Sequence, residues 1–142
     1  MSTEVASSLI ATTSLRVRYA ETDVMGVVYY ANYLVWFEIG RTDWLRQTGQ
    51  SYRDMEAEGT QLPVIEAACE YRRPARYDDV VEVRTRAARL TPVRVRFDYE
   101  VLGPGGDLLA VGRTVHAAVT PDGKPRRLPA SVNALFDGTA AP

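Results

Sequence analysis

From Ala31 to Gln47 the chain sets apolar side chains almost all the way round a helix. Ala31, Leu34, Val35 and Ile39 recur at helical spacing, and Tyr33, Trp36, Phe37 and Trp44 fill much of the remaining circumference. A helix of this kind is covered on most sides, so the rest of the chain must wrap it. Asn32 stands where a cap is expected and Gly49 where a stop is expected. A short second helix fits between Gln50 and Gly59, with Ser51 and Asp54 at capping-box spacing.

The flanking segments read as strands. Leu15 to Glu21 alternates Leu15, Val17 and Tyr19 against Arg16, Arg18 and Ala20, the pattern of a strand with one buried face. Glu21, two residues before Asp23, could orient that carboxylate, but the pattern favours a surface strand residue. Pro63 to Arg73 and Val80 to Leu90 are extended. Val93, Val95, Phe97, Tyr99 and Val101 alternate with charged residues in the clearest strand of the chain. Gly103 to Asp107 is a turn, Leu108 to Thr120 a last strand, and one helical turn is expected near Val132 to Phe136. One long helix and about five strands make an α+β fold, an antiparallel sheet wrapped around the helix. A single sheet over a single helix leaves apolar surface bare, which predicts a homodimer or homotetramer. The expected organisation is a flexible N-terminus over 1–13, one domain over 14–136 and a tail over 137–142.

Composition narrows the function. The 142 residues carry 17 basic and 18 acidic side chains, for a formal net charge of -1. That balance gives no global attraction to nucleic acid. No apolar run approaches the ~20 residues that span a bilayer, and the first residues do not resemble a signal peptide. With Cys69 the single cysteine, a reducing, cytoplasmic setting is expected. With His116 the single histidine, neither a zinc site nor a Gly-x-Ser-x-Gly hydrolase site can be assembled within one chain. No cofactor is expected.

The chemistry concentrates between Arg16 and Phe37. Asp23 lies in the loop between the first strand and the buried helix, followed by Gly26 and Tyr29-Tyr30-Ala31-Asn32-Tyr33. A carboxylate here also suits a plain cap or loop residue. The alternative is catalytic: free backbone N–H groups at a helix start hold an oxyanion, and an adjacent carboxylate attacks an activated carbonyl or deprotonates water.

Arg16-Val17, Thr22-Asp23, Gly26-Val27-Val28-Tyr29, Asn32-Tyr33, Trp36-Phe37-Glu38 and Gly40-Arg41 resemble the signature of the 4-hydroxybenzoyl-CoA thioesterase family, including its Tol–Pal-associated acyl-CoA branch. More loosely, the stretch from Leu108 to Leu128 resembles that family's last strand and closing turn. The resemblance implies a hotdog fold and hydrolysis of an acyl- or aroyl-CoA at a subunit interface. It implies Asp23 as the catalytic carboxylate and the Tyr30 backbone N–H as the oxyanion donor. Tyr30 stands where many Tol–Pal-associated members carry a histidine.

Gly26, Tyr29 and Tyr33 are expected at the substrate. Arg72, Arg73, Arg94, Arg96, Arg126 and Arg127 are the candidates for the phosphates of CoA, because phosphate recognition favours Arg and Lys; Arg126 and Arg127 are the pair selected. Glu38 is expected to pair with Arg41 at i+3, and His116 to be a satisfied structural histidine. Two rival functions are a hydratase or dehydratase on the same fold, which would need His116, and a non-catalytic acyl-CoA-binding module.

Overall fold

A computed structural model describes residues 4–137. The sheet holds six strands, β1 (Val5–Ala6), β2 (Ala11–Arg16), β3 (Val64–Tyr71), β4 (Val80–Thr91), β5 (Arg94–Leu102) and β6 (Leu108–Ala117). Three helices accompany them: α1 (Asn32–Gln47), α2 (Tyr52–Ala57) and α3 (Ala130–Asp137). Every pairing is antiparallel. β1 and β2 lie end to end along one side of β4, so six strands occupy five lanes, continuing through β5 and β6 to β3.

Alternation decides which face meets α1. Val95, Phe97, Tyr99 and Val101 of β5 point inward with Val81, Val83 and Thr85 of β4. Against them α1 lays a stripe of Tyr33, Phe37, Gly40 and Trp44, spaced as one helical face, with Trp36 and Leu45 beside it. Phe37 stacks on Tyr99 with centroids 4.3 Å apart and planes 5° from parallel. Gly112 lies opposite Tyr99 on β6, and a Cβ there would overlap the Phe37 ring. A Cβ at Gly40 would likewise meet the Thr85 hydroxyl. These two glycines let the helix and sheet approach closely enough to bury the aromatic stripe.

Several expectations need correcting. Leu34, Val35 and Ile39 are not in the core; each is between 39% and 45% exposed. α1 rests on one sheet, and the described residues leave these side chains on its far side partly uncovered. The segment over 1–13 is not free from Val5 onward. Ala11 and Thr13 face inward as Leu15 does, and β4 supplies a partner for the backbone of both short strands. Residues 1–3 and 138–142 lie outside the described residues, and Asp137 ends α3 rather than opening a tail. The first strand stops at Arg16, and Tyr19–Glu21 forms a 3-10 turn instead. Asn32 does not cap α1; its side-chain amide donates to the Glu21 carbonyl at 2.9 Å. Ser51 does cap α2, accepting the Asp54 N–H at 3.1 Å.

Candidate active site

Asp23 opens a tight hairpin between the 3-10 turn and α1. Its N–H donates to the Val27 carbonyl at 2.8 Å and its carbonyl accepts the Gly26 N–H at 3.0 Å. Gly26 has φ +80°, a value that suits glycine. Beyond it, Val28 donates to the Ala75 carbonyl and Tyr29 to the Glu21 carbonyl, which ties the hairpin to its surroundings on both sides.

The Asp23 carboxylate is only partly spent on this turn. Oδ1 accepts the Met25 N–H at 2.8 Å. Among the described residues no side chain forms a hydrogen bond or ion pair with it, which leaves Oδ2 available to a ligand.

The start of α1 supplies the complementary charge. In the first turn Asn32, Tyr33 and Leu34 donate to carbonyls three residues back. The N–H groups of Tyr30 and Ala31 have no acceptor among the described residues, and no side chain caps the helix. Two free amides at the positive end of a 16-residue helix form an anion-binding corner.

Asp23 and Tyr30 line one hollow of about 300 Å³ with Met25, Val27, Val28 and Tyr33. Tyr71, Arg72 and Arg73 of the β3 end form its other wall. Tyr71 sits edge-on to Tyr33 at 5.1 Å and donates its hydroxyl to the Tyr30 carbonyl at 3.0 Å. Burial, then the Cys69 thiol, pushes the Tyr71 phenol up to about 12, so it stays a donor throughout the neutral range. The Tyr33 hydroxyl accepts the Ala75 N–H at 3.1 Å.

The structure therefore brings together Asp23, Tyr30 and Tyr33. Tyr29 packs against Tyr30 with centroids 4.8 Å apart and planes tilted by 49°, but does not line the hollow. Gly26 shapes the hairpin without touching the hollow's wall. Arg126 and Arg127 are elsewhere. The Arg126 guanidinium donates to the Glu58 and Gly59 carbonyls, and Arg127 lies beside Arg89 and Asn133. Of the candidate arginines, Arg72 and Arg73 line the hollow, with guanidinium groups 3.4 Å from Glu70 and 3.7 Å from Asp107.

Glu38 is exposed, and among the described residues it forms no ion pair with Arg41. His116 is buried, with Nδ1 bonded to the Leu62 carbonyl and Nε2 to the Thr114 hydroxyl, which also bonds the Tyr99 hydroxyl. It lies under α1, outside the hollow that holds Asp23. Sequence reasoning missed Tyr71, whose signal was a single aromatic residue beside Arg72-Arg73-Pro74 at a strand end.

A sheet curled around one central helix, with a carboxylate hairpin at the helix start, defines a protein of the hotdog class. The sequence profile of the Thioesterase-like superfamily matches residues 17–136, and the chain belongs to that family. Its relatives include YneP of Bacillus subtilis (strain 168), 38% identical over 74% of this chain and 76% of the relative. The acyl-CoA thioester hydrolase YbgC of Escherichia coli O6:H1 is 34% identical over 86% of this chain and 92% of its own length. Among solved structures, the DHNA-CoA thioesterase of Staphylococcus aureus superposes with a TM-score of 0.81 at 37% identity. That match covers 84% of this chain and 80% of the other. No helix of the described residues is long and apolar enough to cross a membrane.

Proposed function

We propose that this chain hydrolyses acyl-CoA thioesters to a free acid and CoA, with Asp23 as the catalytic carboxylate. The observation that carries the reading is the shared hollow: Asp23, one of whose oxygens has no partner among the described residues, lines the same space as Tyr30, whose backbone N–H is unbonded among them. The thioester carbonyl oxygen accepts the N–H groups of Tyr30 and Ala31. Charge grows on that oxygen as the carbon becomes tetrahedral, and fixed donors favour the transition state over the ground state. Asp23 either attacks the carbon, expelling the CoA thiolate and leaving a mixed anhydride for water to open, or takes the proton of an attacking water. A thioester is activated enough for a lone carboxylate, so neither route calls on a histidine.

Arg72 and Arg73, at the rim, are the groups we assign to the phosphates of CoA in place of Arg126 and Arg127. Val27, Val28 and the rings of Tyr33 and Tyr71 give the hollow its apolar wall, fitting it to the acyl group. A cytoplasmic setting, with CoA as the thiol carrier, belongs to this reading, as does membership of the 4-hydroxybenzoyl-CoA and Tol–Pal-associated branch. The names of the hydrolases reported above support it. The hydratase reading loses its required histidine, since both ring nitrogens of His116 are engaged away from the hollow.

The working unit is a homodimer or a pair of homodimers. Among the described residues β3 is bonded on one side only, and Val64 and Ile65 on it are 46% and 44% exposed. Its last residue, Tyr71, lies in the wall of the hollow, so a second copy seated along β3 reaches the substrate.

The test is release of free thiol from saturated short, long and aromatic acyl-CoAs. Asp23→Asn should lower kcat by roughly 10²–10⁴-fold with the melting curve unchanged. Turnover like that of the wild type in this variant removes Asp23 from the mechanism. Tight CoA-ester binding with no thiol release by the wild type would instead establish a binding module.

A further inference from the structure

The carboxylate of Glu21 takes no direct part in the proposed hydrolysis, yet it is withdrawn from water, at 5% exposed. One of its oxygens accepts the backbone N–H of Arg18 at 2.8 Å. The other accepts the indole N–H of Trp36 at 2.9 Å. The Arg18 guanidinium is 3.6 Å from the first oxygen and is itself mostly in solvent. The carbonyl of the same residue accepts the Tyr29 N–H at 2.8 Å and the Asn32 side-chain amide at 2.9 Å. Residue 21 thus grips the first turn of α1 through Asn32, the second turn through Trp36, and the segment entering Tyr30 through Tyr29. It does so two residues before Asp23.

A carboxylate is a costly way to fill such a place. An apolar side chain of similar volume would serve packing alone. What the carboxylate adds is two acceptor oxygens for two donors held in fixed directions. Glutamine has one acceptor oxygen, and its NH2 group would face the second donor.

We infer that Glu21 is a positioning residue: by clamping the Asp23 hairpin to two successive turns of α1, it sets the direction in which the Tyr30 and Ala31 amides face the Asp23 carboxylate. The inference rests on the assignment of Asp23 and those amides made above. It requires the fold to survive loss of the clamp while turnover suffers, because a small misplacement of reacting groups is expensive.

The experiment measures thiol release from an acyl-CoA by wild type, Glu21→Gln, Trp36→Phe and the double variant, with amide NMR spectra of each. Each single variant should lose roughly 10–100-fold in kcat with KM within about twofold. The double variant should lose less than the product of the two single losses, because both changes disturb the same carboxylate–indole pair. In Glu21→Gln the Tyr30 and Ala31 amide resonances should move while those of β5 stay in place.

Three results overturn the inference: kcat of Glu21→Gln within about twofold of wild type, losses that multiply in the double variant, or failure of both single variants to fold. The last makes Glu21 a residue of the fold and not of the site's geometry. If the wild type releases no thiol from any ester, the hydrolysis reading falls by itself. The amide resonances then decide the clamp alone, and unmoved Tyr30 and Ala31 signals refute it.

Discussion

At the scale of single residues, the buried polar groups divide by what surrounds them. His116 has both nitrogens satisfied, but by a carbonyl and a hydroxyl, and among the described residues no carboxylate pairs with it. Burial, with the charge of Arg41 adding to it and the Leu62 carbonyl opposing, lowers its pKa from 6.5 to about 4. The folded state therefore resists the proton that the unfolded chain accepts, and stability present above pH ~6.5 is lost as the pH falls through about 4. The full loss is ~3 kcal/mol. Urea unfolding at several pH values checks this: the stability of His116→Gln should fall less steeply than that of the wild type between pH ~6.5 and ~4. Gly112 makes an independent case. Gly112→Ala drives a methyl group into the ring of Phe37, with the Ala68 carbonyl close behind, and overpacking of this kind costs about 1–3 kcal/mol. A thermal melt should show a transition several degrees lower.

Legibility at this scale followed distance along the chain. The Asp23 motif could be read because its parts, the carboxylate, the turn glycine and the helix start, fall within ten residues. Glu21 was misread as a surface position. Its burial depends on an indole fifteen residues later and on a 3-10 turn that the alternating pattern hid.

At the scale of elements, the amphipathic pattern marked β5 and the aromatic run marked α1, since burial on one face leaves a period that survives in the sequence. β1 and β2 left almost no such trace. Their Ser, Thr and Ala residues have low burial value, and pairing with β4, some seventy residues away, is what orders them. The cap of α2 was legible because it is local, and it can be weighed: Ser51→Ala should cost ~1 kcal/mol in urea unfolding. For α1 the sequence showed that apolar groups surround the helix but not which of them meets the sheet. Gly40 discriminates, since only the stripe containing it can come close to Thr85.

At the scale of the whole molecule, apolar groups of β3 and α1 stand exposed among the described residues. Sequence reasoning anticipated the bare surface from the count of layers but not its place, which follows from β3 being last in the sheet order. Placing a charge on this lane should separate assembly from folding. Val64→Lys with Ile65→Lys should lower the mass measured by light scattering toward that of one chain and leave the melting curve cooperative. Thiol release should fall with it if a second copy completes the site.

The two margins of the sheet are unlike. On the β4 side the backbone is occupied by two short strands, with residues 7–10 breaking the line between them, so the rim offers no straight run of donors and acceptors to a newcomer. The β3 margin is a single strand of eight residues, regular from Glu66 to Tyr71 after an irregularity between Val64 and Glu66. When two copies join margin to margin there, both long margins are consumed and only blunt ones face outward. On the proposed pairing, growth by this route would end at two, so the same arrangement would guard against fibres.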